Sequence, residues 1–84
     1  MYLHIKVKDY LIVHGFDQNN KEIIEKITED KFVEKIINVD RILSITEKYV
    51  LTQYAFGRII YWEYEGDLSS ISEKLRQANL MIEE

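Results

Sequence analysis

Residues 49–64 read YVLTQYAFGRIIYWEY, two β-rich segments around a glycine-containing turn. Tyr49–Tyr54 and Ile59–Tyr64 suit strands, and Ala55-Phe-Gly-Arg58 suits a four-residue hairpin loop with Gly57 in the left-handed position. That loop pairs Tyr54 with Ile59, Thr52 with Tyr61 and Leu51 with Trp62. Paired residues share a face, so Tyr49, Leu51, Ile60, Trp62 and Tyr64, interrupted by Gln53, are expected in the core. The opposite face carries Val50, Thr52, Tyr54, Ile59, Tyr61 and Glu63, which is too apolar to stand comfortably in water. Either the N-terminal hairpins fold over it, or another molecule covers it. A one-residue slip in the pairing would exchange the two faces.

After the hairpin, Leu68, Ile71, Leu75, Ala78 and Ile82 recur at spacings of 3, 4, 3 and 4. One apolar stripe at that period predicts a helix over Leu68–Ile82. Ser70-Ile-Ser-Glu73 fits a capping box, in competition with Asp67, whose charge also suits the positive end of the helix dipole. Gly66 breaks the preceding strand.

Before the hairpin, Tyr2–Lys8 alternates, with Leu3, Ile5 and Val7 on one side and His4, Lys6 and Lys8 on the other, as a half-buried strand does. Asp9-Tyr10 is a turn or a continuation, and Leu11–Phe16 is a second strand. Asp17-Gln-Asn-Asn20 has the side chains of a tight loop. In Lys21–Asn38 the isoleucines and Phe32-Val33 give no single helical stripe. Two strands broken at Thr28-Glu-Asp-Lys31 suit the segment better, and Leu43–Thr46 is a further short strand. Together these elements predict an α+β domain spanning residues 1–84: a small, curved, mostly antiparallel sheet of five or six strands, barrel- or sandwich-like, with one C-terminal amphipathic helix.

Composition bounds function more than it specifies it. The 84 residues include no cysteine and no proline, and 13 isoleucines against two alanines favour strands. Without cysteine there are no disulfides or thiolate metal sites, and a domain with so thin a core has a partner chain as its remaining source of stability. Cysteine-free composition fits a reducing cytoplasm. No apolar run reaches the ~20 residues of a membrane span. The net charge is −4, and residues 61–84 carry Glu63, Glu65, Asp67, Glu73, Glu83 and Glu84 against only Lys74 and Arg76. An acidic end disfavours a phosphate backbone as ligand.

Catalytic and metal-binding patterns are missing. His4 and His14 have none of the HxH, HxxxH or HExxH spacings of a metal site, so neither metal nor other cofactor is expected. Ser44, Ser69, Ser70 and Ser72 lie in no nucleophile-elbow context. Gly15, Gly57 and Gly66 are isolated and make no phosphate-binding loop. The chain reads as a non-enzymatic module that binds a partner protein, as a small regulator or inhibitor, with self-association to a homodimer compatible with the same surface. Aromatic side chains bury much area at small entropic cost, which selects Val50, Tyr54, Phe56, Ile59 and Tyr61 as the partner-binding residues. Two other readings stand beside it. One is a nucleic-acid-binding module using His4, Lys6, Lys8 and Arg58; the other is a structural subunit of a phage or similar assembly. A phage-encoded inhibitor acting in host defence or immunity is one form of the main reading.

Asn38-Val-Asp-Arg-Ile-Leu-Ser-Ile45, followed by a hairpin and an amphipathic helix, resembles two bacterial patterns. One is the small flagellar and swarming-motility family, with its Asn-x-x-x-Ile-x-x-Ile strand entry. The other is the opening of the LytTR DNA-binding domains. The resemblance covers about residues 38–75. The extra N-terminal hairpins depart from the first pattern and the weak basic character departs from the second, so no functional residue is carried over from either.

Overall fold

The computed structural model describes residues 1–81. Its organising element is one long strand, β1 (Tyr2–Phe16): Asp9-Tyr10 is the continuation rather than the turn, and Leu11–Phe16 is not a separate strand. Strand β2 (Glu22–Ile27) returns antiparallel along the second half of β1, and β3 (Val33–Asn38) continues in line beside the first half. The break between them falls where expected, at residues 28–32, and the Asp9 carboxylate accepts the Glu29 N–H at 3.1 Å to fix it. The loop joining β1 to β2 closes as its residues dictate. Asp17 accepts from the N–H groups of Asn19 and Lys21 through its side chain, and Asn20 takes φ 64°.

A short 3₁₀ turn, Val39–Arg41, capped by the Asn38 side chain, leads from β3 into β4 (Ile42–Ile45). Strands β5 (Tyr49–Gln53) and β6 (Ile59–Tyr64) follow, then helix α1 (Leu68–Gln77). All pairs are antiparallel, and the sheet runs β2-β1-β6-β5-β4 with β3 also against β1. It is a six-stranded α+β fold whose sheet curves without closing.

Bulges decide which side chains face inward. Opposite β6, Val7 pairs with Tyr64 but the next pair is Tyr10 with Trp62, so Lys8-Asp9 adds one residue to β1. An extra residue shifts the two-residue side-chain period by one. Leu3, Ile5 and Val7 are therefore buried before the bulge, and Ile12 after it. The main core joins Leu3, Ile5, Val7, Ile37, Val50, Tyr64 and Ile71, with Val39, Ile42, Ile45, Trp62 and Leu75 against it. Each such aliphatic side chain contributes about 1.5–3 kcal/mol on burial.

Within the β5–β6 hairpin the register differs from the expected one by a residue. Val50 faces Trp62, Leu51 faces Tyr61 and Gln53 faces Ile59. The turn takes five residues, Tyr54 to Arg58, closed by Tyr54 N–H donating to the Arg58 carbonyl at 2.9 Å. Counting one more residue into the turn exchanges the faces of β5 while leaving β6 as expected. The inner face is Val50, Thr52, Ile60, Trp62 and Tyr64, and Tyr49 and Leu51 lie on the outer one. Among the described residues Thr52 is the one buried polar side chain, and its hydroxyl accepts from Trp62 Nε1 at 3.1 Å. The Trp62 ring is flanked by Tyr10, with centroids 4.5 Å apart, and by the Lys35 ammonium at 4.1 Å.

Helix α1 begins with Asp67 as its cap: Asp67 accepts the Ser70 N–H and Ser70 Oγ accepts the Asp67 N–H. Asp67 thus wins over Ser70, which takes the reciprocal position of the box. The helix stops at Gln77, earlier than the apolar stripe suggests. Asn79 adopts φ 58°, with Leu80 N–H donating to Leu75 and Asn79 N–H to Arg76, a Schellman ending. Ile71 is the helix residue fully committed to the core; Ile82 lies outside the described residues.

Candidate functional site

The β1–β2 loop and the β5–β6 turn lie at the same end of the sheet, because β1 and β6 are adjacent and antiparallel. Between the two tips is an open groove of about 340 Å³. Val13, Phe16, Phe56, Ile59 and Tyr61 give it apolar walls, and His14, Glu22 and Arg58 give it polar groups.

The β5–β6 turn determines one wall. Phe56 and Gly57 are both left-handed, at φ 60° and 73°, so the conformation expected of Gly57 extends to its aromatic neighbour. A non-glycine residue there costs about 1 kcal/mol or more. Phe56 is 97% exposed and returns none of that cost through burial. The guanidinium of Arg58 holds the turn from within: Nε donates to the Ala55 carbonyl at 2.9 Å, and its carbon lies 4.6 Å from the Tyr54 ring centroid and 5.8 Å from that of Phe56.

Across the groove, His14 is the extra residue of a second bulge in β1, where Val13 pairs with Ile24 and Gly15 with Ile23. Its Nε2 lies 2.9 Å from Glu25 Oε1, and Arg58 Nη1 lies 3.4 Å from its Nδ1. Arg58 can only donate, so Nδ1 accepts and Nε2–H donates to Glu25, which assigns the neutral tautomer by its partners. The chain Arg58–His14–Glu25 ties the two tips together and accounts for this histidine structurally.

The five residues selected from the sequence divide unequally. Phe56, Ile59 and Tyr61 come together in the groove, and Tyr54, 43% exposed, lies beside them against Arg58. Val50 does not belong: it is 0% exposed, beneath the sheet, because the five-residue turn places it on the inner face. Val13 and Phe16 were missed, since the facing of β1 beyond Asp9 depends on a bulge set by a strand some fifty residues away.

The cations considered for nucleic acid do not converge. His4 Nε2 lies 3.6 Å from Glu34, Lys6 faces Glu34 across the ladder, and the Lys8 ammonium is 5.8 Å from the Phe32 ring centroid. Arg58 sits beside His14, six residues along β1 from Lys8, or about 20 Å at the rise of a strand. Among the described residues no group of three or more histidines or carboxylates is placed to hold a metal ion, and no helix is long and apolar enough to cross a membrane.

Tyr64, at the other end of β6, is buried and donates from its hydroxyl to the Thr46 carbonyl at 2.7 Å. Burial, with Asp67 and Glu47 nearby, raises its pKa above the usual tyrosine value. Lys48 is held charged by Tyr49 and Glu63, which raise its pKa too.

No family model, no curated protein and no solved structure matches this chain. The resemblance of residues 38–75 to two bacterial families therefore goes no further than a shared order of strand, hairpin and helix.

Proposed function

We propose that this chain is a non-enzymatic protein-interaction module of the cytoplasm, a small regulator or inhibitor. It takes an apolar segment of a partner protein into the groove between its two hairpin tips. Phe56 carries this reading. A phenylalanine in the left-handed region and 97% exposed lowers the stability of the free chain, where asparagine or glycine would serve the turn better. Strain and exposure combined in one side chain are accounted for by a contact made outside the chain. Phe16, Ile59 and Tyr61 extend the same apolar surface, and Arg58 at its edge suits a partner carboxylate.

The test is site-specific photocrosslinking from position 56, with p-benzoylphenylalanine replacing Phe56, in cells that carry the native partner. One discrete adduct is expected, weakened at least tenfold by Tyr61→Ser. A smear no stronger than that from a probe at Glu29, or an adduct indifferent to Tyr61→Ser and Tyr54→Ser together, would reject the groove as the binding surface.

A further inference from the structure

Three strands pair on one side only: β2 and β3, each against β1, and β4 against β5. A free edge presents unpaired N–H and C=O groups, and proteins that remain monomeric blunt it with short strands, bulges, proline or charge. β4 has four residues and an irregular register between Ile42 and Ser44. β2 has six, no proline, and both central isoleucines exposed, Ile23 at 47% and Ile24 at 50%. β4 is blunted by its length and irregularity, and in β3 Glu34 and Lys35 are adjacent, so no two-fold register sets one against the other. In β2, Glu22 and Lys26 lie four residues apart on either side of Ile24.

The sequence of β2, Glu22-Ile-Ile-Glu-Lys-Ile27, restricts what can pair with it. In an antiparallel ladder each residue directs its N–H and C=O to one side, and successive residues alternate. Two copies related by a two-fold axis can therefore pair only with the axis passing through a residue, never between two. An axis at Glu25 sets two carboxylates against each other. An axis at Ile23 leaves Lys26 opposite the loop residue Asn20, and to meet Lys21 it asks Glu25 to leave His14. An axis at Ile24 sets Ile24 against its counterpart, Ile23 against Glu25, and Glu22 against Lys26 twice over. Among the described residues neither Glu22 nor Lys26 makes an ion pair within the chain.

We infer that β2 is a homodimerisation edge: a second copy pairs with it antiparallel about Ile24, with reciprocal Glu22–Lys26 contacts. The two sheets then join into one, and Ile24, which sits across from Val13, extends the outer apolar surface over the axis. Glu22 also lines the rim of the groove, but the dimer contact runs along β2 and does not require Phe56.

Sedimentation equilibrium of the full chain tests the assignment, with circular dichroism to verify folding of each variant. The wild type is expected to be a dimer and Ile24→Lys a monomer. Glu22→Lys and Lys26→Glu each turn two attractive cross-strand pairs repulsive, and each should raise the dissociation constant about tenfold or more. The double variant E22K/K26E should restore dimerisation to near the wild-type constant. A wild type monomeric at several hundred micromolar overturns the proposal, as does open-ended assembly. A dimer that ignores the single reversals, or that the double variant fails to restore, overturns the Ile24 register and its reciprocal pairs.

Discussion

The two halves of β1 are built from similar residues and are covered to different extents. Leu3, Ile5 and Val7 are buried beneath β3, β6 and α1, whereas in the second half only Ile12 is buried, Val13 is half-buried and Phe16 is 65% exposed at the tip. The difference lies in what covers them. Helix α1 reaches the first half, where Lys74 Nζ donates to the His4 carbonyl at 3.3 Å, and no element covers the outer face of the second. With a radius of gyration of 13.8 Å against about 12 Å for a compact chain of this length, the molecule is elongated. One end of the sheet holds the fold together, and the other leaves Phe16 and Phe56 exposed.

That contrast can be broken most severely at the core end. Val50→Asp places a charge among Leu3, Ile37 and Tyr64 and should leave the chain unfolded in circular dichroism. Ile5→Ala should cost about 2–4 kcal/mol in urea denaturation, while Phe16→Ala at the tip costs under about 0.5 kcal/mol. Comparable losses at both positions would erase the distinction between the halves.

Tyr64→Phe should cost about 1 kcal/mol at neutral pH, from loss of the hydroxyl's bond to Thr46. Because the folded state raises the Tyr64 pKa, its neutral form is the one the fold favours. The resulting stability is fully present below the unfolded value near 10 and is lost as pH rises through the folded value. Urea midpoints between pH 9 and 11.5 should fall more steeply for the wild type than for Tyr64→Phe. A small effect of the opposite sign belongs to Phe56→Asn. Relief of the left-handed strain should raise stability by a few tenths to about 1 kcal/mol while partner capture falls tenfold or more, opposite signs that a structural role for Phe56 would not produce.

Elements whose signals are local were legible in the sequence. The Asp17–Asn20 loop, the break between β2 and β3, and the stripe of α1 depend on residues a few positions apart. The faces of β5 and of the second half of β1 were not legible, for one shared reason. Each depends on whether a single residue is counted into a strand or into a turn or bulge. The added residue at Lys8-Asp9 has meaning only against Trp62 and Tyr64, and Tyr54 enters its turn because Val50 and Thr52 fit under Trp62. Of the candidate site, the aromatic hairpin tip was visible from the start, but the wall contributed by Val13 and Phe16 was not.

The adjacency of β1 and β6 also sets a timescale. Val13 pairs with Ile59 and Val7 with Tyr64, so the central ladder cannot form until most of the chain has been drawn into a loop. Closing that loop loses entropy before the ladder returns any stabilisation, whereas the β1–β2 and β5–β6 hairpins close over a few residues each. The hairpins should form within about 1–10 μs, and their docking should hold folding to milliseconds or longer. During that interval the inner faces of β1 and β6 are both open to water, and the slow step is the meeting of two finished hairpins.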